Sequence, residues 1–330
     1  MRLSRTSIVP AAIMTVLAVM TVARTASAQG LRDWSAAVSV DPARDQGVNT
    51  AVNDGCPAEA PDGHMLFLAS NRVPGAAGTK DLDIWVAYRG TDGPWGNTEP
   101  LPAPVNTSAA EFCPTPLPGN QLLFVSTRTN TCGAGNDADI YLSRLRMSPA
   151  PAWSDPSPLP CNDADGINSS FEEFSPSLVQ VSGRTFLFFS TNRDTGVAGV
   201  HKIYSSELLV DGTWTPARPI DELNVEGFST ARPHVRADGL EIVFDSNRSG
   251  TYDIYIATRG SLRGRWSAPK RLGTNVNSDV ADEIRASLSR DGVRLYFGST
   301  RANAELGGAG ADIYVSTRQD VLPWALLIRR

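Results

Sequence analysis

Basic charge, histidine and catalytic signatures are what this chain has little of. Its 330 residues hold 30 Lys and Arg against 35 Asp and Glu, a net charge of −5. The first 28 residues contain Arg2, Arg5 and Arg24 and no acid, so the rest sets 27 basic against 35 acidic side chains, a net −8. That balance disfavours nucleic acid and anionic membranes as partners. Histidines number three, His64, His201 and His234, far apart in sequence. No GxSxG, HExxH, Walker or GxGxxG context occurs, which removes the common signatures of hydrolases, zinc proteases and nucleotide binders. CxxC is missing too, so neither a zinc knuckle nor a thioredoxin-like motif is supported. Past the first 28 residues no apolar run is long enough to cross a bilayer. The C-terminal "VLPWALLI" has eight residues and is expected to dock on the protein surface. No sustained helical period is seen outside the N-terminal segment.

That N-terminal segment has its own logic. Two arginines in Met1–Ser7 precede an apolar run from Ile8 to Ala23, and Ala26-Ser27-Ala28 is a small-x-small cleavage signature. Residues 1–28 are therefore expected to be a secretory signal peptide, cut before Gln29, which places the mature protein in the periplasm or outside the cell. No cysteine follows the cut, so no lipoprotein anchor is expected. Cys56, Cys113, Cys132 and Cys161 all lie beyond it, and an even count in an exported chain predicts two disulfides.

What the chain does have is repetition. An apolar run ending in Ser/Thr-x-Arg occurs as "LFLASNR", "LLFVSTR", "FLFFSTNR", "EIVFDSNR" and "RLYFGSTR", ending at Arg72, Arg128, Arg193, Arg248 and Arg301. Each is followed by Asp-Ile-aromatic, at Asp83, Asp139, Asp253 and Asp312, with Lys202-Ile203-Tyr204 as the deviant third copy. A short segment and turn precede each copy ("CPAEAPDG", "CPTPLPGN", "SPSLVQVSG", "RPHVRADG", "RASLSRDG"). A tryptophan, then prolines and small residues, then Val-Asn or similar, follow four of them, at Trp95, Trp153, Trp214 and Trp266. The copies recur roughly every 50–65 residues and read as four short strands each, which predicts an all-β five-bladed β-propeller. The fifth copy lacks its tryptophan segment, but "DWSAAVSV" at Asp33–Val40 matches "RWSAPKRL" at Arg265–Leu272. The ring is therefore expected to close with an N-terminal strand, Trp34–Val40, beside Asp312–Ser316 in the last blade. The organisation is signal peptide 1–28, propeller 29–318 and C-terminal tail 319–330.

Ser/Thr-x-Arg ends the second strand and the Asp opens the third, so each Arg is expected to clasp that carboxylate or nearby loop carbonyls as a structural element repeated in every blade. The tryptophans are expected to pack between blades. "PDGHMLFLASNR…DIWVAYRG", "LLFVSTR…DIYLSR", "ADGLEIVFDSNRSGTYDIYIATRG" and "RDGVRLYFGSTR…DIYVSTR" resemble the WD40-like propeller repeat of the TolB type, found in exported bacterial proteins. The resemblance runs from about Asp33 to Arg318. It implies a β-propeller that binds proteins, peptides or glycans. Some relatives carry an added catalytic or peptidoglycan-binding domain, and no such domain is expected here.

Function must lie where the copies differ. Aligned on Pro57, Pro114, Pro176, Pro233 and Ala286, the residues three places earlier are Asp54, Glu111, Glu173, Thr230 and Glu283, and these acids are expected to ring one mouth of the channel. One place before the aligned position stand Cys56, Cys113, Ser175, Arg232 and Arg285; one after it, in blade four, is His234. Asp54, Glu111, Glu173, Glu283, Arg232, Arg285 and His234 are thus the candidate ligand-binding residues. Cys132 and Cys161 fall on connections emerging on one face of blade two, and Cys56 and Cys113 at equivalent positions of adjacent inner strands. The pairs Cys56–Cys113 and Cys132–Cys161 are therefore favoured over the two other pairings. "NDADG" at Asn162–Gly166 lacks the full spacing of a calcium loop and reads as a polar turn. The expected function is an exported, non-catalytic binding or scaffold propeller, monomeric, with no cofactor and no metal, whose partner is a protein, peptide or glycan. The alternative is a carbohydrate-active hydrolase using axial carboxylates.

Overall fold

Short runs of Val, Ile, Leu, Phe and Tyr become strands in every copy, and a left-handed glycine makes the first hairpin turn of each: Gly63, Gly119, Gly183, Gly239 and Gly292 all have φ between 73° and 79°, a conformation that a side chain disfavours. The computed structural model describes residues 33–43, 46–73, 79–91, 93–129, 132, 138–301 and 310–318, all within one unit, Asp33–Arg330. The expected signal peptide and tail lie outside them. Among the described residues there is no helix, hence none long and apolar enough to cross a membrane.

Five antiparallel sheets form the five blades of a β-propeller. Blade one is Asp54–Glu59, Met65–Arg72, Thr79–Tyr88 and Gly96–Pro100. Blade two is Glu111–Leu117, Gln121–Ser126, Asp139–Arg146 and Ser157–Pro158, with Ala152–Trp153 also paired to its third strand. Blade three is Glu173–Val181, Arg184–Thr191, Lys202–Leu208 and Arg218–Pro219. Blade four is Thr230–Val235, Glu241–Ser246, Asp253–Thr258 and Lys270–Arg271. Blade five is Glu283–Leu288, Arg294–Ser299 and Asp312–Thr317, completed by Val38–Ser39 from the N-terminus. Each innermost strand contacts the next, and that of blade five contacts that of blade one, which closes the ring.

The closure follows the sequence expectation. Val38 pairs with Val315 and Ser39 with Tyr314; Ser35 donates its N–H to the Thr317 carbonyl at 2.7 Å and Val40 its N–H to Ile313 at 3.1 Å. Trp34 is buried among Val243, Ile254 and Leu295, between blades four and five. Trp95 and Trp266 do the same work elsewhere, against Tyr296 of blade five and Phe188 of blade three. Arg318, Arg89 and Arg259 cover these three indoles at 4.5, 4.0 and 4.3 Å, a favourable cation–π geometry.

A second seam holds the blades together. Asn49, Asn106, Asn168, Asn224 and Asn277, the asparagines of the Val-Asn element, each accept the N–H of the isoleucine in Asp/Lys-Ile-aromatic: Ile313, Ile84, Ile140, Ile203 and Ile254, at 2.8–2.9 Å. Each also donates its amide to that isoleucine's carbonyl, at 2.9–3.0 Å. The side chain thus reads one residue of the third strand from both sides, and a buried backbone N–H and C=O are satisfied together. Blade five receives its asparagine, Asn49, from the N-terminal segment.

The axial channel, a candidate binding site

The innermost strands carry one unusual residue each. Cys56, Cys113, Ser175, Arg232 and Arg285 all have left-handed backbones, φ 47–59°. At this point the register with the neighbouring strand shifts in every blade. This is a β-bulge, which bends the strand and re-aims its side chains. Non-glycine residues are strained in this region, and its recurrence in all five blades marks it as part of the architecture. A regular strand would present Asp54 and Cys56 on one face. The bulge breaks that relation, and the two ends of the repeat unit go to different places.

The four acids go into the blades. Asp54, Glu111, Glu173 and Glu283 are fully buried and are not among the residues lining the channel. The expectation that they ring an open mouth is corrected on this point: each is closed in by donors. Glu111 accepts the Thr107 N–H at 2.7 Å, the Thr107 and Ser126 hydroxyls at 2.8 Å each, and Arg128 Nη2 at 3.1 Å. Glu173 is held alike by Ser169, Thr191 and Arg193, Glu283 by Ser278, Ser299 and Arg301, and Asp54 by Thr50 and Arg72. The same arginines reach the preceding linker, where Val48, Val105, Ile167 and Val276 accept from them. The arginine of Ser/Thr-x-Arg therefore does clasp a carboxylate and loop carbonyls, but the carboxylate is on the first strand, not the Asp opening the third. In blade four Thr230 takes the acid's place, and its hydroxyl accepts from Arg248 at 3.0 Å. The Ser/Thr that serves the acid elsewhere is there Val225, so the two changes go together. Burial pushes the Glu173 carboxyl above the usual range, with Arg193 and the Ser169 and Thr191 hydroxyls opposing it.

Arg232, Arg285 and His234 are brought together. They line the waist of the channel with Cys56, Cys113, Ser175, Ser287 and the aligned prolines, around a space of about 30 Å³. The disulfide Cys56–Cys113 joins blades one and two at this waist, and Cys132–Cys161 is the second bridge, both as favoured from the sequence. They fit an oxidising compartment. Ser175 Oγ donates to Cys113 Sγ at 3.2 Å. Asp245, in the second strand of blade four, stands behind the waist and was not singled out from the sequence. It accepts Arg232 Nη1 at 2.5 Å and the Arg285 backbone N–H at 2.9 Å. Its counterparts are Ala69, Val125, Ser190 and Gly298, so an acid inside the apolar run of "EIVFDSNR" was the available signal.

Beyond the waist the innermost strands end and splay. Their last residues, with the turns that follow, enclose a depression of about 440 Å³ reached by all five blades, a volume typical of ligand sites. Pro61, Pro116, Leu117, Leu178, Val181 and Val235 line it, with Gln180, Ser182 and Arg290 among the polar groups. Two carboxylates also line it, and both are committed. Glu59 accepts Tyr296 Oη at 2.6 Å and both Nε and Nη2 of Arg294, at 3.0 and 2.9 Å. Asp238 pairs with Arg236 at 2.7 Å. This wide mouth is at the opposite end of the strands from the four acids, which are their first residues.

Solved structures share this architecture. The chain is similar to a GH43 endo-arabinanase from Bacillus licheniformis (13% identity, 84% of this chain and 97% of that one, TM-score 0.53). It is similar to an α-L-arabinofuranosidase from Lactobacillus brevis (13% identity, 81% and 90%, TM-score 0.51), and more loosely to TolB from Acinetobacter baumannii (18% identity, 82% and 55%, TM-score 0.43). The likeness is one of fold. No protein-family model and no curated protein sequence matches the chain.

Proposed function

We propose that the chain is an exported, non-catalytic binding propeller that takes an extended segment of a partner protein in the wide mouth of its channel. The observation that carries this reading is the fate of the carboxylates. Glycoside hydrolysis needs two carboxyl groups facing one bond, roughly 5–9 Å apart and free to exchange protons. Here the axial acids are buried in arginine clasps, and both acids at the wide mouth are held by arginine. The mouth offers proline and aliphatic surface with scattered amide, hydroxyl and guanidinium groups. Such surface suits peptide side chains and backbone, and its lining includes no Trp, Tyr or Phe on which a sugar ring would stack. The hydrolase reading keeps one support, the arabinan-degrading enzymes among proteins of the same fold.

A parallel screen separates the two. The mature protein is probed on peptide and glycan arrays and incubated with chromogenic arabinosides and other glycosides. Peptide binding that is lost in Leu117→Arg, with no glycoside turnover, is expected. Turnover abolished by Glu59→Gln would establish the hydrolase instead.

A further inference from the structure

The waist of the channel is chemically unlike the mouth. Its space of about 30 Å³ is far smaller than the roughly 440 Å³ of the mouth and is enough for a water or a small ion. Arg232, His234, Arg285 and Ser287 face it, and among the described residues no Asp or Glu does. Behind them Asp245 serves two arginines at once, binding the Arg232 side chain and the Arg285 backbone. One carboxylate against two guanidinium groups leaves an excess positive charge deep in the ring, where the low dielectric makes it costly.

Three residues that line this space carry donors, Arg285, Ser287 and His234. Arg285 Nε and Ser287 Oγ have no hydrogen-bond partner among the described residues, and Ser287 is 4% exposed. His234 Nδ1 accepts the Leu288 N–H at 3.1 Å, which puts the proton of the neutral ring on Nε2 and makes that edge a donor. Burial keeps the ring neutral by holding its pKa down to about 4. Gly55 lets the Arg285 guanidinium lie against the blade-one strand, since a Cβ there would stand 3.0 Å from Nη1. Buried donors without partners are rare and call for an acceptor. A water would satisfy them but would leave the charge.

We propose that the waist is a binding site for a single monatomic anion, chloride under ordinary salt conditions, held by Arg285, Ser287 and the Nε2–H of His234. The small space suits a monatomic anion. The anion would bridge blade four, through His234, and blade five, through Arg285 and Ser287, at a waist lined by all five blades, so it would join them at the axis independently of whatever the mouth binds.

The test uses the mature protein in sodium gluconate, titrated with sodium chloride or bromide at constant ionic strength. A saturable rise in melting temperature is expected with either halide and not with gluconate. Crystals grown in bromide should give an anomalous peak within hydrogen-bonding distance of Arg285 and Ser287. Ser287→Ala should raise the half-saturating chloride concentration at least threefold, and Arg285→Gln should abolish the chloride response. If Arg285→Gln does not fold, Ser287→Ala and the diffraction experiment decide. Identical melting in chloride and gluconate would overturn the proposal, as would the absence of an anomalous peak at the waist.

Discussion

Glu111→Gln is the sharpest probe of what the repeated acids do. The carboxylate receives four donors, two on each side of the clasp: the N–H and hydroxyl of Thr107 from the linker, and Ser126 at the end of the second strand with Arg128 just beyond it. A glutamine keeps the shape and loses the charge. Its best orientation leaves the carbonyl facing Ser126, Arg128 and the Thr107 hydroxyl, and turns the NH2 toward the Thr107 N–H, donor against donor. Arg128 also loses its counter-ion while remaining mostly buried. Breaking a buried ion pair by removing one partner costs about 3–5 kcal/mol. At this chain length that corresponds to a fall in melting temperature of roughly 10 °C. Calorimetry and urea unfolding of the chain without residues 1–28, disulfides intact, measure it, with far-UV circular dichroism confirming the fold at low temperature. Thr230→Val is the internal control, because the blade-four clasp holds no carboxylate; removing one neutral acceptor there should cost about 1 kcal/mol. If Glu111→Gln melts with the parent or above it, the carboxylate is not a structural acceptor, and its assignment to a ligand site revives.

Three further outcomes are expected. Deleting residues 29–42 removes Trp34 and the clasping strand, and should lower the melting temperature and broaden the transition; Trp34→Ala alone should cost about 3–5 kcal/mol. Asn168→Ala leaves the N–H and C=O of Ile140 unpaired, and should cost on the order of 3 kcal/mol while accelerating hydrogen exchange at the Ile140 amide. Because burial lowers the His234 pKa to about 4 from 6.5, the unfolded chain binds the extra proton first: this contribution, up to about 3 kcal/mol, is complete above pH 6.5 and is lost as pH falls toward 4. His234→Asn, which can still accept the Leu288 N–H, should flatten that acid limb in urea titrations; an unchanged limb would show that His234 does not set it.

The architecture was legible because a propeller writes its period into the chain. Five Ser/Thr-x-Arg motifs, five following Ile-aromatic pairs and a displaced "DWSAAVSV" fixed blade count and closure, and blade equivalence alone favoured Cys56–Cys113. The clasp was half legible. Arg72 and Asp83 flank one hairpin and looked like partners, whereas Asp54 faces Ser70 across a strand pair, a register no motif records. The acids were misplaced for a related reason. Period-two alternation carries Asp54 to the same face as Cys56, and only the left-handed bulge residue undoes it. A non-glycine residue before proline gives no hint that its φ is positive. Asp245 was passed over because it sits inside an apolar run used to align the copies rather than to distinguish them.

The N-terminal clasp also imposes an order of assembly. Ser35 and Ser316, which share a hydrogen bond, are 281 residues apart in the chain. A chain made from its N-terminus releases the clasping segment first and its partner strand last, so four blades must wait, stacked but unsealed, with Ile313 not yet there for Asn49 to grip. During that interval the newborn protein is an arc with two raw ends, and an exposed strand edge invites pairing with a neighbouring molecule. The clasp contributes only a two-residue strand, Val38–Ser39, too short to template another chain by itself. Its hold comes instead from the Trp34 indole, which packs between blades four and five, and from the Asn49 amide, whose partner Ile313 arrives only with the last strand of the fifth. The seal thus works as a check on completeness: a chain truncated before Asp312 can build blades but cannot become a ring.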